Sequence, residues 1–245
     1  MPSVFVACAP GLESLLATEL SELGLGRGSV APGGTTLRGG KELIYRANLE
    51  SGLALKVLVR LGRFDARHWN QLERGAREIA WDQWLTGAPE IRVHARRSKL
   101  YHSDAIAERL GRVIGERVGD GQCDATVHVR MVRDRCTISI DTSGEPLPRR
   151  GYRRGTGKAP LRADIARALV LGSSWDRASP LVDPFCGSGT ILIEAGLLAG
   201  GKAPGLERSF DFETFSNFDA ELWARMRDQA RARETESAAW LIGSD

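Results

Sequence analysis

Pro180-Leu-Val-Asp-Pro-Phe-Cys-Gly-Ser-Gly-Thr-Ile-Leu-Ile-Glu194 puts a short apolar run first, an acidic residue at its end, a Gly-x-Gly turn next and an apolar helical run last. That order predicts a strand, a tight loop and a helix. The glycines permit a sharp turn and close approach of a ligand to the backbone, while the free amides at a helix start favour a polar or anionic group. The loop is therefore read as a cofactor loop. It is not the dinucleotide fingerprint, which would need glycine where Leu192 stands, and it lacks the Gly-Lys-Ser/Thr ending of a phosphate-binding loop. Nicotinamide and ATP are both excluded by these two departures.

Working outward, the C-terminal part continues as alternating elements of an α/β pattern. A helix is predicted over Pro160 to Leu171, a strand over Leu181 to Pro184, helices over Thr190 to Ala199 and Phe218 to Arg233, and a strand over Trp240 to Gly243. The first part reads differently, as an α+β pattern. There a strand is predicted over Val4 to Ala9, a helix over Gly11 to Leu23, a helix over Glu42 to Leu49 and a strand over Leu53 to Leu61. A helix near Gln71 to Ile79, a strand over Ile91 to Ala95 and a helix over Ser103 to Arg117 follow. Ala125 to Val132 and Cys136 to Asp141 read as two strands of a hairpin turning through Met131 to Arg135. Ser143-Gly-Glu-Pro-Leu-Pro148 breaks both periodicities and marks the boundary between the patterns.

The whole chain has 245 residues, 42% of them hydrophobic and 27% charged, which suffices for one large or two ordinary cores. Cys8, Cys123, Cys136 and Cys186 form no CxxC pair, and the four histidines lack ligand spacing, so no metal is expected. No stretch reaches the roughly 18 apolar residues of a membrane helix, and the start has no basic leader, so a cytoplasmic protein without membrane contact is expected. Trp81, Trp84, Trp175 and Trp240 sit beside apolar positions and are expected in the core.

The net charge is only +3, so a partner must be read from clusters. Between Pro148 and Arg162 lie Arg149, Arg150, Arg153, Arg154 and Lys158 with no acidic residue. Arg92 to His102 is also acid-free, with Arg96, Arg97 and Lys99 beside Tyr101 and His102. Cations with interleaved aromatics suit a phosphate backbone and unpaired bases, so these residues are expected to contact RNA. A solvated basic linker remains the alternative for the first run.

Asp183-Pro-Phe-Cys-Gly-Ser-Gly-Thr-Ile-Leu-Ile-Glu-Ala195 resembles the first cofactor motif of class I methyltransferases that modify RNA guanines at N2. Arg150-Gly-Tyr-Arg-Arg-Gly-Thr-Gly-Lys-Ala-Pro-Leu161 resembles the segment that leads a helix over the cofactor pocket in that family, and Gly201 to Leu206 with Phe210 and Phe212 resembles its connector. Where the family has a Lys-Glu-Thr-like run, this chain has Arg162-Ala-Asp164, so cofactor contacts from that helix are not expected. Phe5 to Leu20 resembles a ferredoxin-like segment, and residues 41–145 resemble a THUMP domain. By this resemblance, 1–40 is a ferredoxin-like segment, 41–145 an RNA-binding THUMP domain, and 146–245 the first part of a Rossmann-like methyltransferase domain.

The resemblance, strongest to bacterial 23S rRNA guanine-N2 methyltransferases, implies S-adenosylmethionine as cofactor and 23S rRNA or a ribosome assembly intermediate as partner. Asp183, Pro184, Phe185, Gly187, Ser188, Gly189 and Thr190 would line the cofactor, and Asp245 would accept hydrogen bonds from its ribose. The family's Asn-Pro-Pro-Tyr motif, which receives the flipped base, is absent, so no catalytic residue is assigned and the chain is expected to be an inactive N-terminal portion. A catalytically dead RNA-binding protein and a THUMP-containing tRNA methyltransferase remain as alternatives.

Overall fold

The computed structural model describes residues 1–119, 121–152, 161–236 and 239–244. In chain order the elements are β1 (Ser3–Ala7), α1 (Glu13–Glu22), β2 (Ser29–Ala31), β3 (Gly34–Arg38), α2 (Lys41–Glu50), β4 (Lys56–Asp65) and α3 (Trp69–Arg77). Then come β5 (Ala88–Arg96), α4 (Ser103–Val118), β6 (Gln122–Val132), β7 (Arg135–Asp141) and α5 (Ala163–Gly172). The last are β8 (Leu181–Asp183), α6 (Thr190–Ala199), α7 (Ala220–Ala232) and β9 (Leu241–Gly243). They fall into two compact units, one of Met1–Phe5, Leu58–Gly144 and Phe210–Asp219, the other of Val6–Val57, Glu145–Ser209 and Ala220–Asp245.

In the first unit the strands lie in the order β4, β7, β6, β5, antiparallel except for the parallel pair β5 and β6. The alternation of the sequence decides which side is core: Val127, Val129 and Met131 of β6 and Cys136, Ile138 and Ile140 of β7 are all at most 1% exposed. Helices α3 and α4 cover that side, where Ile106, Leu110, Val113 and Ile114 are buried and Gly75 of α3 packs on the Phe64 ring. Arg133 and Asp134 make the β6–β7 turn, both at positive φ (51° and 64°), which matches the twist that a two-residue hairpin requires.

In the second unit, α1, α2, α5, α6 and α7 accompany the β2–β3 hairpin and a parallel pair, β8 with β9. Leu16, Leu20, Leu49, Leu53, Ala166, Val170 and Ala195 are buried, and the Tyr45 ring meets Trp223 edge-on at 5.8 Å. The Glu19 carboxylate fixes the turn after α2 by accepting from the Ser51 hydroxyl (2.6 Å) and the Gly52 and Leu53 amides (2.9 and 3.2 Å). The Arg208 guanidinium binds the carbonyls of Glu145, Pro146, Leu147 and Arg149, which gives the break after residue 143 a defined path.

Three expectations shift. The hairpin β2–β3 occupies what reads as a Gly-rich turn region, and β4 starts at Lys56 and runs to Asp65 instead of covering Leu53 to Leu61. Leu53 and Ala54 are buried but not in a strand. Of the tryptophans expected in the core only Trp81 is fully buried: Trp84 and Trp175 are half-buried, and Trp240, just before the three-residue strand β9, is 74% exposed and outside the core.

Candidate functional site

The decisive stretch folds as its pattern predicts, a strand (β8), a loop and a helix (α6). β9 lies parallel to β8 with Leu181, Val182 and Asp183 opposite Leu241, Ile242 and Gly243. The loop is stitched to the residue after β9: the Cys186 amide donates to the Ser244 carbonyl (2.9 Å) and the Ser244 amide to the Asp183 carbonyl (3.1 Å). A side chain at Gly243 would stand 2.6 Å from Leu192 and 2.9 Å from the Cys186 sulfur, so glycine there lets β9 close on the loop. Asp183 turns the chain by accepting from the Phe185 amide at 3.2 Å.

Gly187 and Gly189 both have positive φ (50° and 70°), and among the described residues, chain neighbours apart, nothing lies within 4 Å of where a Cβ would stand at either. Their φ values explain why glycine is used, and the open space leaves backbone accessible to a ligand. The first helical bond of α6 is donated by Ile193 to Gly189 (2.9 Å), so the amides one turn earlier lack an acceptor within the helix. Phe185 is 89% exposed. Pro184 and Ser188 are exposed, Asp183 is half-buried, and Thr190 is buried with its hydroxyl 3.2 Å from that of Ser188. A nucleoside-like cofactor with a polar tail fits this edge: an anionic group would face the helix start, and an apolar part has the Phe185 ring beside it. Asp245 lies outside the described residues.

Behind the loop, α6 carries a carboxylate that the sequence reading passed over. Glu194 is fully buried, with Arg150 Nε at 2.7 Å, Arg167 Nε at 3.2 Å and the Tyr152 hydroxyl donating at 3.1 Å. The two Nε contacts have ion-pair distances but off-axis hydrogen-bond geometry, so the attraction is mainly charge on charge. Arg150 also donates to the Gly52 carbonyl at 2.6 Å. The signal was present: a lone acid in the apolar run Ile191 to Ala199 must find a cation when it is buried.

This cluster corrects one expectation for RNA contact. Arg150 has a side chain only 2% exposed and faces Glu194, so it cannot serve as a surface phosphate contact. Arg149 is exposed and paired with Glu145, and Arg153 and Arg154 lie outside the described residues. Arg96, Arg97 and Lys99 are exposed in and after β5, around a turn tied to the β6–β7 hairpin by Lys99 N to Asp134 (2.7 Å), Asp134 N to the Ser98 hydroxyl (3.0 Å) and Arg133 N to the Arg96 carbonyl (3.3 Å). Tyr101 is 62% exposed with its ring centroid 4.0 Å from that of His102, which leaves both rings at the surface.

The cysteines divide by environment. Burial pushes the Cys8 thiol up to about 11, with Glu13 and Asp164 adding to the effect, and burial alone pushes Cys136 up to about 12. Cys123 and Cys186 are partly exposed. Because the thiolate is the reactive form, Ellman's reagent at pH 8 is expected to titrate Cys123 and Cys186 rapidly and Cys8 and Cys136 only after denaturation. Four fast thiols in the native protein would contradict the burial described above. Among the described residues no group of three or more metal-ligating side chains occurs, and no helix is long and apolar enough to cross a membrane.

Residues 150–245 match the RMKL-like methyltransferase domain, 3–58 the RlmL ferredoxin-like domain and 66–141 the THUMP domain. A crystal structure from Listeria monocytogenes, named a predicted N6-adenine-specific DNA methylase, superposes with a TM-score of 0.92 and 31% identity, over 100% of this chain and 67% of that one. The chain belongs to the THUMP-domain methyltransferases. Among curated relatives, the ribosomal RNA large subunit methyltransferase K/L of Aliivibrio salmonicida is 37% identical over 95% of this chain, and that of Aliivibrio fischeri 36%. This chain spans 35% of the length of each, about a third. The crystal structure of SMU.472, named a putative methyltransferase complexed with S-adenosylhomocysteine, superposes at a TM-score of 0.89 with 25% identity, over 99% of this chain and 75% of that one.

Proposed function

We propose that this chain holds the cofactor loop and the RNA-engaging part of an S-adenosylmethionine-dependent methyltransferase that modifies guanine N2 in large-subunit rRNA, in the cytoplasm. The observation that carries the reading is the β8–loop–α6 turn, in which two glycines at positive φ border open space at a helix start. The names of the Aliivibrio relatives favour rRNA, and the THUMP match favours RNA over the DNA in the Listeria protein's name.

The cofactor would supply a methyl group on a sulfonium, which a nucleophilic amine takes by direct displacement. The chain's own contribution is placement. Gly187 and Gly189 let the backbone pass close to the ligand, Asp183 holds the turn, and the amide end of α6 attracts a carboxylate. Pro184, Phe185, Ser188 and Thr190 border the same edge, and Asp245 is proposed for the ribose hydroxyls. No residue of this chain is proposed to orient the target base.

The reading is tested by ultraviolet cross-linking of radiolabelled S-adenosylmethionine to the protein. Labelling is expected, and S-adenosylhomocysteine should compete it away while ATP and NAD should not. Labelling indifferent to S-adenosylhomocysteine would overturn the cofactor assignment. RNA affinity retained without any such labelling would point to a catalytically inactive RNA-binding protein.

A further inference from the structure

Strands β4, β7, β6 and β5 have one face under α3 and α4, and the other is open toward the β6–β7 turn, where Arg63, Arg96, Arg130 and Arg135 are exposed, whereas Ser139 and Asp141 farther along are buried. The register brings Arg63, Thr137, Arg130 and His94 side by side, and in the next row Asp65, Arg135, Val132 and Arg96. On the other flank, Ser139 and His128 lie between Arg60 and Arg92. These rows place six arginines, Arg60, Arg63, Arg92, Arg96, Arg130 and Arg135, on one face with one carboxylate, Asp65, among them, and Glu90 and Asp141 share the face farther along. On β5, β6 and β7 strict alternation sets this face, and on β4 the register shift between Arg60 and Gly62 brings Arg60 and Arg63 onto it together.

The acids that balance the face sit at its far end. Glu90 holds Arg92 at 2.8 Å, and Asp141 lies 3.5 Å from His128. Toward the β6–β7 turn the balance is lost. Among the described residues, Arg63, Arg96 and Arg130 have no carboxylate within ion-pair distance, and Arg135 meets Asp65 at 3.1 Å with both side chains more than half exposed. Arg67 and Arg133 extend this end into a concavity of about 540 Å³. The acid at its rim, Asp134, is occupied by the Lys99 amide (2.7 Å) and by Arg67 (3.5 Å).

We propose that this open sheet face, centred on Arg63 and Arg130, is the surface on which the protein binds the phosphate backbone of RNA. Four strands at about 4.8 Å spacing make it on the order of 15 Å wide, which suits several phosphates of a polyanion and exceeds a single small anion. Arginine forks suit phosphate oxygens. The proposal rests on the RNA reading above and replaces Arg150 with residues spread over four strands.

The test is binding of a fluorescein-labelled, unmodified 23S rRNA transcript across a potassium chloride series. Arg63→Gln with Arg130→Gln is expected to weaken binding and to lower the slope of log affinity against log salt by roughly 1.4 to 1.8, two phosphate contacts' worth. Arg63→Lys with Arg130→Lys should restore most of the slope. Unchanged circular dichroism and thiol count would exclude misfolding as the cause. If wild type binds RNA and the glutamine pair leaves affinity and slope unchanged, the sheet face is not the surface, and the RNA reading survives. If wild type does not bind RNA, both readings fall. Equal binding to phosphatidylglycerol vesicles, lost in the same variants, would overturn the RNA assignment in favour of a membrane surface.

Discussion

Replacing Glu194 with glutamine is expected to destabilise the protein by about 3–5 kcal/mol, the usual cost of leaving a buried charge without its partner. Arg150 and Arg167 are 2% and 3% exposed at the side chain, and Glu194 is the carboxylate that faces both. Burial already pushes the Arg167 guanidinium below its ordinary value, and Glu194 is the largest influence working the other way. Without that carboxylate two cations would share a dry site. Urea unfolding followed by circular dichroism reads the effect as a large fall in midpoint. An unchanged midpoint would mean that the cluster is solvated and that its charges do not depend on one another. The companion experiment replaces all three residues, Arg150→Met, Arg167→Met and Glu194→Leu, and should recover much of the loss, because well-packed apolar groups commonly match a buried ionic cluster.

Gly187→Val should abolish cofactor binding while leaving the fold nearly intact. At a φ of +50° a β-branched residue is strained, so the loop would shift or carry a cost of roughly 1–2 kcal/mol. Among the described residues, chain neighbours apart, nothing lies within 4 Å of the new Cβ. The space it fills is the space proposed for the ligand. The contrast with Glu194→Gln is therefore diagnostic: one variant should lose stability, the other the ligand. Unaltered S-adenosylmethionine labelling in Gly187→Val would remove the cofactor loop assignment, and a collapse of stability would show that the loop packs against protein.

The strand, loop and helix of residues 180–199 were legible because each is encoded locally, as were the β6–β7 strands and their turn. The β2–β3 hairpin was not, since Ser29–Ala31 and Gly34–Arg38 are too short and too polar to show an alternating pattern. The end of β4 was hidden for a related reason: Arg60 and Arg63 break the apolar run, yet an open sheet face accepts them, and Gly62 sits at the register shift between them, against Ile79 on the core side. Charge runs misled where partners come from afar. Arg150 sits in an acid-free stretch of sequence, and its acid, Glu194, is supplied by a helix that a linear count does not reach. The converse holds for the open sheet face, whose arginines are scattered from Arg60 to Arg135 and become neighbours only through strand register.

The seam between β8 and β9 joins residues that α6, α7 and their connections separate, with Asp183 opposite Gly243 and Cys186 bonded to Ser244. Closing so long a loop carries an entropic cost and makes this pairing a late event in folding. On the ribosome, the turn at Gly187 emerges well before the segment that fastens it, and domains assemble from the N-terminal side at the pace of synthesis. The cofactor pocket therefore cannot take shape until residue 244 has left the exit tunnel, long after the arginine-bearing sheet of residues 58–141 is complete. A nascent chain would acquire its grip on nucleic acid first and its capacity for the small molecule second.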